Sequence, residues 1–189
     1  METPIAVALI TGSITAIGWL STHTLTARRE RARARAEATL HHVERQLEEL
    51  YGPLVFLIYE GRRTFEDLLQ TLGRTYVFRE SESLPPNELK TWIFWAENAL
   101  LPRNDRIKQL LMAKTHLIEG GVFPPSYVAF LDHHNSWVVN HERWKKEQVP
   151  YSWHSRINWP ETFESEVIGT FQYLKAKHAR LLTQLEGHS

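Results

Sequence analysis

The ten histidines are the side chains of this sequence best suited to chemistry, because imidazole moves protons near neutral pH and binds metal ions. His134 and His141 are seven residues apart, which on a helix is about 10 Å, so one metal ion cannot join them without other ligands. Buried polar groups usually find hydrogen-bond partners. We therefore expect core or interface histidines here, and we predict no metal site and no cofactor. A metal site or a pH switch is the alternative interpretation of these histidines.

Tryptophans form the second group of candidate residues, and the chain has seven. Two of them share one predicted helix, and two more share the next. Because tryptophan is enriched in cores and in protein interfaces, we expect these rings to fill a core and an oligomer interface, with a ligand pocket as the alternative. The residues assigned to this interface or pocket are Trp92, Trp95, His134, Trp137, His141 and Trp144.

Motifs of the common enzyme classes are missing from the sequence. It contains no phosphate-binding GxxxxGK[ST], no GxGxxG, no GxSxG and no HExxH. No histidine follows a glutamate by three residues, which is the pairing that di-iron helical bundles use. The chain has no cysteine, which excludes disulfides, thiolate metal sites and cysteine nucleophiles. The sequence therefore favours a non-enzymatic protein.

The elements that must position these residues are helical almost throughout. Residues 28–51 are rich in good helix formers, and apolar residues recur there at three- and four-residue steps. Gly52-Pro53 is predicted to kink or restart this helix. Similar stripes follow, and no run of alternating strand residues occurs, so the fold class is all-α with a bundle of four or five helices. The first stripe consists of Leu40, Val43, Leu47, Leu50 and Leu54.

The start of the chain has the composition of a membrane anchor. Residues from Thr3 to Ala27 include no Asp, Glu, Lys or Arg, and five arginines stand in the next eight residues. Roughly 20 mostly apolar residues cross a bilayer as a helix, and neighbouring arginines stay on the cytoplasmic side. A signal peptide has the reverse order of charge. We predict a single-pass inner-membrane protein with its N-terminus outside; an N-terminal helix docked on a soluble core is the alternative.

Three segments follow from these patterns. We predict a transmembrane anchor over residues 1–27, a basic stalk helix over 28–51 and a cytoplasmic α-helical domain over 52–189. Acidic residues interleave with the arginines and the formal net charge is zero, so we do not expect nucleic acid as a partner. We expect the membrane, further copies of the chain and an unidentified protein as partners. The predicted lipid contacts are Trp19, Arg28, Arg29, Arg31, Arg33 and Arg35.

One enzymatic alternative comes from a family resemblance. Arg35 followed by His41 and His42 resembles the arginine, four to six residues, then histidine pattern of HEPN ribonucleases. Those proteins are small α-helical dimers, and the resemblance implies that the arginine and a histidine activate and orient attack by a ribose hydroxyl. A membrane-tethered HEPN-like ribonuclease, with Arg35, His41 and His42 as its catalytic residues, is therefore the second hypothesis.

A second resemblance covers most of the chain. Leu50-Tyr51-Gly52-Pro53-Leu54 and the later Leu100-Leu101-Pro102, His116-Leu117-Ile118 and Phe130-Leu131 resemble uncharacterised bacterial proteins with one N-terminal span and a small helical cytoplasmic domain. The layout is also similar to the membrane accessory protein of certain RNA-targeting CRISPR systems. That similarity implies a pore-like oligomer acting in antiviral defence.

The resulting functional prediction is a membrane-anchored, non-enzymatic helical interaction module that oligomerises. The ribonuclease is its first alternative, and a soluble ligand-binding helical bundle is the second.

Overall fold

The computed structural model describes residues 3–78, 84–147, 151 and 158–187; within the first helix, the side chains of residues 3–18, 20 and 21 lie outside the described part. Every regular element in this part is a helix, which confirms the all-α prediction. The α-helices are α1 (Thr3–Gln46), α2 (Gly52–Leu72), α3 (Pro86–Trp95), α4 (Leu101–Ala113), α5 (Pro125–Glu147) and α6 (Glu161–Glu186).

The chain divides into two compact units. The first contains Met1–Val43 and Lys177–Ser189, and the second contains Glu44–Ala176. The second unit, called the bundle below, holds the end of α1, all of α2 to α5 and most of α6. It also holds nearly all of the buried apolar side chains of the described residues.

The core of the bundle forms where apolar residues repeat at helical spacing. Leu50 and Leu54 of the predicted stripe are fully buried, and so are Phe163, Val167 and Leu174 on one face of α6. Full burial of such a side chain contributes about 1.5–3 kcal/mol. The stripes read from the sequence are therefore the faces that meet in the core.

Two π-helical turns precede prolines in the chain. Leu47–Tyr51 forms one such turn directly before Gly52-Pro53, and Ala96–Leu100 forms the other before Leu101-Pro102. Proline has no backbone N–H, and its ring clashes with the carbonyl four residues earlier. A wider turn accommodates the proline, and α2 begins at Gly52, which agrees with the predicted restart of the helix at Gly52-Pro53.

The first π-helical turn requires glycine at position 52. A Cβ atom there would lie 2.6 Å from the carbonyl oxygen of Leu47, which accepts the hydrogen bond of the Gly52 N–H. Gly52→Ala is therefore expected to lower the free energy of unfolding by about 2 kcal/mol, measured by urea unfolding. An unchanged free energy of unfolding would show that the turn adapts to a side chain.

The predicted transmembrane helix receives no support from the structure. Within the part of the chain that is described, no helix has both the length and the apolar character needed to cross a membrane. Most side chains of the predicted anchor, residues 1–27, lie outside that part. The helix itself runs without a break from Thr3 to Gln46, so the predicted stalk continues the N-terminal helix.

Candidate functional site

An aromatic cluster joins α3 and α5 in the bundle. Trp92 of α3 stacks on Trp137 of α5 with ring centroids 5.7 Å apart, and Phe78 and Trp92 form a T-shaped pair with centroids 5.2 Å apart. Trp137, His141 and Trp144 follow each other at steps of four and three residues, which places them on one face of α5. Tyr151 completes the cluster against Trp144.

Hydrogen bonds fix the polar atoms of this cluster. Trp92 Nε1 donates to Tyr151 Oη at 2.9 Å, and the same oxygen lies 3.5 Å from His141 Nδ1. The other imidazole nitrogen, His141 Nε2, is 3.0 Å from Glu97 Oε1, which also pairs with Lys145 Nζ at 2.5 Å. These contacts form one chain of hydrogen bonds from the exposed Lys145 ammonium to the half-buried Tyr151 phenol.

The charges of the cluster favour a structural role over nucleophilic chemistry. Burial raises the pKa of Tyr151, so its phenol stays protonated near neutral pH and serves as a hydrogen-bond donor and acceptor. The hydrogen bond from Lys145 lowers the pKa of Glu97, with a smaller contribution from His141, so this carboxylate stays ionised. The arrangement holds α5 and the second π-helical turn together.

The structure gathers five of the six residues predicted to form an interface or pocket. Trp92, Trp137 and His141 are buried, and Trp144 is half-buried beside them. Trp95 is a half-buried neighbour of the same core cluster. His134 belongs elsewhere, two turns before His141 on α5. The interface or pocket role stays a prediction, while the packing of these rings in the core is observed.

His134 repeats the histidine–carboxylate pairing of His141. Its Nε2 lies 2.9 Å from Asp105 Oδ1, and its ring stacks on Phe130 with an interplanar angle of 5°. Burial lowers the pKa of His134, and Asp105 partly opposes that effect. In the described ranges, no group of three His, Cys, Asp or Glu side chains could hold a metal ion. His141 has a partner at each ring nitrogen, whereas His134 pairs through Nε2 alone, and its buried Nδ1 has no hydrogen-bond partner among the described residues.

The pH dependence of stability tests this environment of His134. Because burial lowers its pKa below the ordinary 6.5, the unfolded chain binds a proton there at a pH where the folded protein does not. The stabilisation is present above about pH 6.5 and is lost as the pH falls below that value. His134→Leu is expected to reduce proton uptake on unfolding by at most one, measured from free energies of unfolding at several pH values.

Asp105→Asn provides the matching control for the pH experiment. The Asp105 charge raises the pKa of His134, so its removal lowers that pKa further and extends the loss of stability to lower pH. Equal slopes of stability against pH in the wild type and in His134→Leu would contradict this account of His134.

The predicted lipid-contacting arginines are exposed along α1. Arg33 pairs with Glu37 at 2.9 Å, and both side chains are more than half exposed. Arg28, Arg29 and Arg31 are also exposed, and no described residue forms an ion pair with them. Trp19 is exposed as well and stacks on His23 at 5.4 Å. This part of α1 therefore presents a strongly basic surface.

The three residues of the ribonuclease hypothesis lie on the same exposed helix. Arg35, His41 and His42 are all exposed on α1. At 100° per residue, Arg35 and His41 point to different faces, and Arg35 and His42 share a face about 10 Å apart. Within one chain, neither histidine is adjacent to the arginine. The catalytic assignment stays an untested prediction.

No protein-family model, curated protein or solved structure matches this chain. The resemblances to single-pass helical proteins, to the CRISPR-associated accessory protein and to HEPN ribonucleases therefore stay predictions.

The structure adds two buried polar residues that the sequence did not single out. Arg103 and Asn104 are buried near the start of α4. The sequence did contain a signal, because Leu100, Asn104 and Ile107 follow each other at steps of four and three residues. A polar amide at a core position of an apolar stripe indicates a specific role for that position.

Proposed function

We propose that this protein is a membrane-tethered, non-enzymatic helical interaction module that self-associates. The observation that supports this proposal most strongly is the unbroken helix α1. Its first part has an uncharged sequence, and its next part exposes five arginines. The proposal places the chain in the inner membrane, with the N-terminus outside and the bundle in the cytoplasm.

The arginines support both the tether and its orientation. Basic residues beside a span are retained on the cytoplasmic side, and near an anionic surface each contributes about 1 kcal/mol of attraction. Exposed guanidinium groups without ion pairs are available for lipid phosphates. Of the five arginines in this segment, only Arg33 forms an ion pair with a described residue, and its partner is Glu37.

The polar groups inside the bundle support an interaction role. His141, Glu97 and Lys145 are bound to each other, and His134 is bound to Asp105. Side chains that are paired with each other in this way hold helices in position, and the atoms that form these pairs are already bonded and not free to bind a substrate. A defence role as a pore-like assembly is the specific form that the resemblance implies.

Exposed apolar side chains on the bundle support self-association. Phe56 and Phe94 are 66% and 63% exposed, and Tyr59 lies one turn from Phe56 on the outer face of α2. Aromatic side chains are enriched in protein interfaces, where they bury large areas. They are the positions at which a second copy is expected to bind.

Size-exclusion chromatography with light scattering of the detergent-extracted full chain tests this function. We expect the wild-type protein to have the mass of several copies of the chain. The double variant Phe56→Ser with Tyr59→Ser is expected to be a monomer. Val122→Ser is the matched control, because this exposed side chain lies in a loop outside α2. A wild-type monomer would contradict self-association.

A further inference from the structure

Arg103 is a buried cation whose hydrogen bonds all go to one neutral side chain. It is 9% exposed, and its Nε and Nη2 donate to Asn104 Oδ1 at 3.2 and 2.7 Å. No carboxylate in the described ranges forms an ion pair with it. A buried charge without a counter-charge is destabilising, and burial lowers the pKa of Arg103 to about 10. The guanidinium therefore lacks an anionic partner.

The acidic residues around Arg103 are engaged with other groups. Glu164 accepts hydrogen bonds from Arg62 Nε and from Trp159 Nε1, each at 2.7 Å. Glu60 faces Arg106 at 4.0 Å. Both carboxylates act on Arg103 only at longer range, where they oppose the effect of burial on its pKa. Neither carboxylate completes the hydrogen bonding of the guanidinium.

Asn104 adds a second donor that lacks an acceptor. Its side chain is fully buried, and its Nδ2 has no hydrogen-bond partner. Because Oδ1 accepts from Arg103, the orientation of the amide is determined and the NH₂ group is the unused one. An unsatisfied buried donor costs about 1–3 kcal/mol. Both the Arg103 guanidinium and Asn104 Nδ2 are therefore donors that one additional acceptor could bind.

The surrounding residues hold the guanidinium in place. A Cβ atom at Gly61 would lie 1.5 Å from Arg103 Nη1, so this nitrogen rests directly on the glycine backbone. The Trp159 ring centroid is 5.1 Å from the guanidinium carbon, and the Trp159 edge meets Phe130. The donors are therefore fixed before any ligand arrives, which lowers the entropic cost of binding.

We propose that Arg103 and Asn104 form a binding site for a small oxyanion, namely the phosphate or carboxylate group of a small molecule. Such a group supplies the missing negative charge and accepts hydrogen bonds from the guanidinium and from Asn104 Nδ2. Arginine is suited to this because its guanidinium stays charged and forms strong charge-assisted hydrogen bonds with oxyanions. The site lies within the bundle and does not depend on the membrane anchor.

Anion titration of the full-length chain in neutral detergent tests this site. Inorganic phosphate and acetate are added separately at constant ionic strength, and the thermal midpoint and the heat of binding are measured. We expect a saturable response to at least one anion, with the affinity reduced at least tenfold in Arg103→Met. Arg106→Met, which removes an exposed arginine of the same helix, should keep the wild-type response.

Asn104→Asp keeps the proposal testable if Arg103→Met does not fold. The aspartate has the shape of the asparagine and places a counter-charge beside the guanidinium, so the midpoint without ligand should rise and the response to anions should disappear. Absence of any saturable response in the wild type would overturn the proposal, and so would a wild-type response in Asn104→Asp. Either result is independent of membrane association.

Discussion

Gly61→Ala is expected to lower the free energy of unfolding of the bundle by about 3 kcal/mol. The added Cβ would lie 1.5 Å from Arg103 Nη1 and 2.4 Å from its Cζ, so the buried guanidinium has to move. Moving it weakens its contact with Trp159 and its hydrogen bonds to Asn104. Urea unfolding followed by tryptophan fluorescence measures the change.

Gly169→Ala is the matched control for this prediction. Gly169 lies in α6, and nothing stands within 4 Å of a Cβ atom built there. Alanine in an open helical position is favoured over glycine by up to about 1 kcal/mol, so this variant should be as stable as the wild type or more stable. Equal effects at positions 61 and 169 would contradict the close packing of Arg103 on Gly61.

The basic segment of α1 is expected to bind anionic bilayers through charge. A peptide of residues 22–46 in which Arg28, Arg29, Arg31 and Arg35 are replaced by glutamine should bind anionic vesicles roughly 10³-fold more weakly than the wild-type peptide. The estimate uses about 1 kcal/mol for each of four arginines, or about 4 kcal/mol in total. Vesicle sedimentation measures the partition, and the peptide omits the apolar segment.

Replacement of the same four arginines by lysine distinguishes charge from shape. Lysine keeps the positive charge and loses the planar fork, so affinity near that of the wild-type peptide is expected if the surface potential drives binding. Binding by the glutamine peptide at the wild-type level would show that the arginines do not contact the bilayer.

The sequence predicted the faces of the bundle well, because burial follows helical periodicity. Phe163, Val167 and Leu174 repeat at steps of four and seven residues and are all fully buried. The start of α5 at Pro125 likewise follows a local rule, because proline is favoured in the first turn of a helix. Such features depend on local spacing and propensity, which a single sequence contains.

Other features depend on contacts that spacing does not reveal. Leu110 and Leu117 stand at helical spacing, yet α4 ends at Ala113, and a tight turn then buries Leu117. The Leu117 carbonyl accepts a hydrogen bond from Gln46 Nε2 at 2.9 Å. The Arg103 site likewise needs Gly61 and Trp159, which are far away in sequence. Tertiary contacts of this kind override local helix propensity.

Alkaline carbonate extraction of membranes from cells that produce the full-length chain tests the central claim most directly. Carbonate releases peripheral proteins, whereas a helix that spans the bilayer stays with the lipid because its apolar surface cannot be exposed to water. The tether predicts that the chain remains in the membrane pellet. Recovery of the chain in the carbonate supernatant would contradict the membrane anchor and the orientation built on the arginines of α1.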